Sequence, residues 1–317
     1  MTAAPAVGMV SNPGSGHNRS QFERICARVQ RSPGIHHCIT QSADDIDTAL
    51  AQLAEHRIEV LAINGGDGTS SALLGRLFET DFFSHPPLIA LLPGGTANMN
   101  AGDIGVQGPL RKAVDRFCDW CDRGGERRTT QRSLLRVVPD GERAHYTMFL
   151  GGGAIIHGTE YAHREIHSRG LRDDFSLILG TLRTVWGVLR DDPQFNRHIS
   201  VELALDDGPA QPFDTLILAV STLQRLSFGM RPFWGDEPGQ IRLTLMEQGC
   251  TRFARTFLSI IRGKPNQNAV PESGYRSHNC HRLGLALTGP LNLDGEILDC
   301  NGHLSITATP ALEFLQL

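Results

Sequence analysis

The residues best placed by type and spacing to do chemistry form three glycine-rich segments within the first hundred positions. They read Asn12-Pro13-Gly14-Ser15-Gly16, Gly65-Gly66-Asp67-Gly68-Thr69 and Pro93-Gly94-Gly95-Thr96-Ala97-Asn98. Segments without bulky side chains let backbone N–H groups close on a polyanion. Asn12, Asp67, Thr69, Thr96 and Asn98 add polar groups suited to phosphate, metal or ribose. The chemistry in view is the binding of a nucleotide or phosphate. Two common loops are excluded by spelling. No lysine follows Gly16, Gly68 or Gly95 as a Walker loop requires, and Gly66-x-Gly68 leads to Ser71 where the dinucleotide fingerprint needs a third glycine.

Each segment follows a short aliphatic run, at residues 6–10, 58–63 and 88–92. Such runs suit parallel strands buried on both faces, whose carboxyl ends open on the ligand crevice of an α/β sheet. Helices are expected over 18–31, with Phe22, Ile25 and Val29 on one face, and over 43–56, with Ile46, Leu50 and Leu53. A polar, basic junction at 123–132 ends this alternation. Beyond it short strands dominate, at 134–138, 146–150, 199–205, 215–220, 241–246, 283–287 and 304–307, punctuated by Gly, Pro and Asp. The fold expected is an α/β N-terminal domain with a Rossmann-like parallel sheet, followed by a mainly β, sandwich-like domain.

Composition bounds the function. A chain of 317 residues, 40% hydrophobic and 20% charged, accommodates two domains and is not disordered. It has neither a secretory start nor 18 consecutive apolar residues, so a cytoplasmic protein with only peripheral membrane contact is expected. A net charge of −4 without aromatic–basic interleaving argues against nucleic acid. Seven cysteines suggest reduced thiols. Cys118 and Cys121 have the spacing of a redox or zinc pair, but no second pair completes a zinc ribbon. The apolar face of residues 175–189, with Arg164, Arg169, Arg172, Arg225 and Arg231, suits either a lipid interface or packing on the second domain.

The three motifs, in this order and near these spacings, resemble the diacylglycerol kinase catalytic-domain family, which includes bacterial lipid kinases and the sphingosine and ceramide kinases. The NAD kinases are its distant relatives. A fourth match is Asp294-Gly295-Glu296, where the family carries Asp-Gly-Glu. The resemblance implies an NAD-kinase-like first domain over 1–127, a β-rich lipid-substrate domain over 128–308, and residues 309–317 returning to the first. It implies an active site in the interdomain cleft and transfer of the γ-phosphoryl group of ATP to a lipid hydroxyl. Asn12, Pro13, Gly14, Ser15, Gly16, Thr40, Gly65, Gly66, Gly68, Thr69, Gly94, Gly95, Thr96 and Asn98 would then surround the nucleotide. Asp67, taken as catalytic, would face magnesium and the phosphates or the acceptor hydroxyl, and Glu296, also catalytic, would act as general base. The lipid acceptor would be met at the inner membrane face, and a homodimer is compatible with this plan.

The chain departs from the family at several places. Ala72 stands where many members have an acid, and the family's magnesium-binding Asp-Asp-Gly element is only echoed by Asp236 in residues 235–239. The asparagine expected in the first glycine segment of the second domain is absent from 149–153. Two alternatives therefore stand beside the lipid kinase: a kinase for a soluble acceptor such as NAD, and a catalytically silent nucleotide- or lipid-binding protein.

Overall fold

A computed structural model describes residues 5–156 and 198–317. The chain divides into two compact units, residues 1–132 with 311–317, and residues 133–310. In the first unit, β1 (Val7–Ser11), α1 (Asn18–Val29), β2 (Ile35–Ile39), α2 (Asp45–Glu55), β3 (Val60–Gly65), α3 (Asp67–Glu79) and β4 (Leu88–Pro93) alternate as expected. They are followed by α4 (Met99–Ile104), α5 (Leu110–Arg123) and β5 (Thr129–Arg132). β1, β3 and β4 are buried at every position, which is why their sequences are unbroken aliphatic runs.

The first sheet has the order β2-β1-β3-β4, extended by the last strand of the chain, β15 (Leu312–Leu315), and by β5. β15 runs parallel to β4 and antiparallel to β5. Pairing with β15 holds residues 129–132 in the first unit, so the boundary falls after Arg132 rather than after residue 127. Arg132 is anchored there: its Nε lies 2.6 Å from the Asp103 carboxylate of α4, and both side chains are largely buried. α5 buries Leu110, Val114, Phe117, Cys118 and Cys121 on one stripe. All seven cysteines are free, and burial pushes the Cys121 thiol up to about 12. Among the described residues, no group of three or more His, Cys, Asp or Glu gathers to hold a metal ion.

The second unit contains β6 (Leu135–Pro139), β7 (His145–Thr147), β8 (Phe149–Gly153), β9 (Ile199–Leu205), β10 (Gln211–Ser221), β11 (Ile241–Glu247), α6 (Phe253–Ile261), β12 (Tyr275–Cys280), β13 (Arg282–Leu293) and β14 (Glu296–Ala308). Hydrogen bonds link the nine described strands in the order β12-β11-β10-β8-β13-β14-β6-β7, with β9 also pairing β10 and β13. β8 and β9 thus share one lane, each lying between different stretches of β10 and β13. A core of Leu150, Leu218, Leu243, Leu285, Leu291 and Ile306 lines the sheet. The apolar run at 175–189, with Arg164, Arg169 and Arg172, lies outside the described residues. No described helix is long and apolar enough to cross a membrane.

Candidate active site

The three glycine loops leave the carboxyl ends of β1, β3 and β4, which are adjacent and parallel, so they converge at one edge of the sheet. Gly66 and Gly95 meet backbone to backbone. A Cβ added to Gly95 would collide with Cα of Gly66, and one on Gly16 would come within 2.5 Å of Thr96 Oγ1. These glycines are needed first because the loops touch one another.

Side chains complete the junction. Asn12 Nδ2 donates to Thr69 Oγ1 at 3.0 Å, joining the first loop to the second, while Asn12 Oδ1 accepts the Gly14 N–H at 2.8 Å. Ser15 Oγ lies 3.5 Å from the same Thr69 hydroxyl. In the third loop Asn98 takes a left-handed conformation, which asparagine tolerates better than most residues. From there its side chain bonds both the N–H and the C=O of Gly95 at 2.8 Å. His17 Nδ1 also contacts the Gly95 carbonyl.

Asp67 is 9% exposed, and its carboxylate accepts the N–H groups of Met99 at 3.0 Å and Asn100 at 2.9 Å. It stands at the start of α3 and caps the start of α4, so the carboxylate expected to face magnesium carries a structural duty as well. An aspartate at a helix N-terminus also complements the positive end of the macrodipole. α1 and α4 both have their first turns engaged by protein groups: Gly94 O accepts from Asn18 N at 3.2 Å, Ser15 O accepts from Arg19 N at 3.1 Å, and Asp67 serves α4. α3 begins after Gly66, which supplies no capping side chain. The first-turn amides of a helix have no partner within the helix, which is why a helix start can receive an anion.

Several polar residues central to the junction are not apparent from the motifs. Asn18 is fully buried and ties the first and third loops to β3: Nδ2 donates to Asn12 O at 2.8 Å and Asn64 O at 3.2 Å, and its N–H to Gly94 O. A signal was present, since Asn18 continues the apolar stripe of Phe22, Ile25 and Val29, where a polar residue is out of place. Beneath it, Asn64 Nδ2 donates to Ser11 Oγ at 3.1 Å, and His37 Nε2 lies 2.8 Å from the same hydroxyl. Burial holds the His37 imidazole below its ordinary pKa. Arg19 Nε donates to Gly14 O at 2.9 Å and sets a cation on the first loop.

Thr40 is buried after β2 and gives its N–H to Ser11 O at 3.0 Å. In the second unit, Asp294 and Gly295 both have positive φ and form the two-residue turn between β13 and β14. Asp294 Oδ2 accepts the Met148 N–H at 2.7 Å, which ties the turn to β8, and Glu296 is exposed at the start of β14. Asp236 is also exposed. The segment expected to echo a magnesium element is held instead by Glu237, through His278 Nδ1 at 2.5 Å and the Asn279 N–H at 3.0 Å.

Comparison with known proteins finds the same fold. The chain superposes on a diacylglycerol kinase from Bacillus anthracis str. Sterne with a TM-score of 0.64 at 15% identity, covering 99% of this chain and 98% of the other. It superposes on a yeast NADH kinase, solved with NADH, with a TM-score of 0.50 at 10% identity, covering 99% and 84%. At these identities the likeness is one of fold. No curated protein matches the sequence. The family model described as the diacylglycerol kinase catalytic domain matches residues 6–123, the stretch that holds all three loops. Over that stretch the first unit is similar to the diacylglycerol kinase catalytic domain.

Proposed function

We propose that this protein is an ATP-dependent lipid kinase that transfers the γ-phosphoryl group to a lipid hydroxyl, of a diacylglycerol-like or sphingoid-like acceptor. The observation that carries the reading is the convergence of the three glycine loops at one sheet edge, inside the segment matched by the kinase family. In this reading the start of α3, with Thr69 and Asn12 beside it, receives the phosphates. Ser15, Thr96 and Asn98 contribute from the flanking loops, and Arg19 adds positive charge.

Phosphoryl transfer demands positioning and charge neutralisation more than covalent chemistry from the protein. Magnesium, arriving with ATP, supplies part of that neutralisation and is commonly held by phosphates and only one or two carboxylates. Asp67 fits such a role, because a carboxylate that accepts two N–H bonds still has lone pairs left. The acceptor oxygen forms its bond to the γ-phosphorus as the bond to the ADP oxygen breaks. Glu296 is assigned the hydroxyl proton as general base.

The test is transfer from labelled ATP to a panel of lipids in mixed micelles with magnesium, beside NAD and a no-acceptor control. Asp67→Asn and Glu296→Gln run in parallel. Labelled lipid that disappears in both variants is the expected result. Label on NAD alone, or on no acceptor, overturns the proposal.

A further inference from the structure

In the second unit, positive charge and exposed apolar surface are gathered on two stretches of chain. Residues 222–235 and 249–271 contain Arg225, Arg231, Arg252, Arg255, Arg262 and Lys264, with no aspartate or glutamate, in a chain whose net charge is −4. The stretches meet in space. The Arg231 N–H donates to Ile261 O at 2.8 Å, and a Cβ on Gly263 would lie 3.1 Å from the Arg231 side chain. α6 buries Phe253, Thr256 and Ile260, while Arg255, Leu258 and Arg262 are exposed on the opposite face.

Beside this helix, residues 226–231 form a tight loop closed by Leu226 N donating to Met230 O at 2.8 Å. Its tip is Phe228, 56% exposed, with a φ of 58°. A bulky side chain at positive φ is uncommon and strained, and strain of this kind collects at functional positions. Here it holds a phenyl ring in water. Arg231, Arg255, Arg262 and Lys264 enter no salt bridge among the described residues. Of the flanking acids, Glu247 is committed to Arg276 and Glu237 to His278, while Asp236 and Glu272 are exposed at the ends of the two stretches.

We infer that this face, the Phe228 loop together with the exposed side of α6, docks the protein on an anionic lipid bilayer. Headgroup phosphates complement the cations, and Phe228 and Leu258 enter the boundary between headgroups and acyl chains. The inference rests on the lipid-acceptor reading for its purpose, although docking itself needs neither ATP nor acceptor. A chain of net negative charge approaches such a surface productively only through a segregated positive face.

The full chain is tested by co-sedimentation with vesicles of phosphatidylcholine alone and with about one-third phosphatidylglycerol, where each surface cation contributes roughly a fivefold change in partition. The expected result is salt-sensitive binding to the anionic vesicles only. The pair Arg231→Glu with Arg262→Glu should lower it by more than tenfold, and Phe228→Ser should weaken it while leaving its salt sensitivity in place. Both variants alter exposed side chains, and an unchanged circular dichroism spectrum verifies the fold. Equal binding to neutral vesicles, or anionic binding untouched by charge reversal, overturns the inference. So does tighter binding to duplex DNA that the same charge reversal abolishes. A wild type that docks but labels no lipid overturns the kinase reading alone, and one that labels micellar lipid but docks on no anionic vesicle overturns docking alone.

Discussion

Asp67 and Asn100 are joined by a 2.9 Å hydrogen bond from the Asn100 N–H to a carboxylate oxygen, and the other oxygen serves Met99. The side chain proposed for phosphate chemistry therefore also fixes where α4 begins. Asp67→Asn keeps one acceptor oxygen and turns the other into an NH2 group facing an N–H donor. The expected loss is about 1–3 kcal/mol of stability, the cost of an unsatisfied buried donor. Chemical denaturation of the full chain measures it, beside the loss of phosphate transfer. Full stability in Asp67→Asn would show that the cap is dispensable.

Asn18→Ala removes the side-chain ties to the first loop and to β3 but leaves the Asn18 N–H on Gly94 O. Asn12 O still accepts from Ser15 N at 3.3 Å, and Asn64 O from Asn12 N at 3.0 Å. The fold should therefore survive with a loss of about 1–2 kcal/mol. Binding of magnesium ATP, measured by calorimetry, should weaken roughly tenfold, because loop positions held jointly are what orient the phosphates. Unchanged affinity would reduce Asn18 to a packing residue.

Gly95 and Gly14 should respond oppositely to alanine. A methyl at Gly95 runs into the Gly66 backbone, which cannot rotate aside as a side chain can, so a cost of about 1–3 kcal/mol and lost nucleotide binding are expected. At Gly14 the only neighbour is Asn12 Oδ1 at 3.2 Å, and Gly14→Ala should fold normally. Thermal melts of the two variants decide the matter, and equal melting temperatures would contradict the loop contact.

Glu237 gives the second unit an acid-sensitive clasp. Burial raises its pKa, but the His278 ring and the Asn279 N–H outweigh that effect and hold the carboxyl at about 2, below its ordinary 4.5. A depressed carboxylate contributes stability in full above its unfolded pKa and loses it as pH falls through the folded value. Urea midpoints should thus separate wild type from Glu237→Gln above pH 4.5 and converge toward pH 2. A gap that stays constant over this window would rule out the clasp.

The first sheet was legible because strands buried on both faces must be continuous aliphatic runs, and β1, β3 and β4 are. The pairing of β5 with β15 was not, because residues 129–132 are too polar to announce a strand and their partner lies at the far end of the chain. β12 hid for a similar reason: in Tyr-Arg-Ser-His-Asn-Cys only the ends are apolar, although Ser277 between them is buried. The long β13–β14 hairpin looked like short pieces because Gly289, Pro290, Asn301 and Gly302 interrupt its pattern. Within the site, the motifs named the loops but not the residues that bind them together, since Asn18 acts through the backbone carbonyls of Asn12 and Asn64, and Asn64 through the Ser11 hydroxyl.

The position of β15 has a consequence for the order of events during synthesis. The strand that lies between β4 and β5 emerges only after every strand of the second unit. At translation rates of about 5–20 residues per second, on the order of ten to forty seconds separate β5 from its partner. During that interval the nascent first unit has an open lane beside β4, exposing Ile89 at the position that Phe314 will cover. The first unit therefore closes only when β15 arrives, directly behind β14 of the second unit.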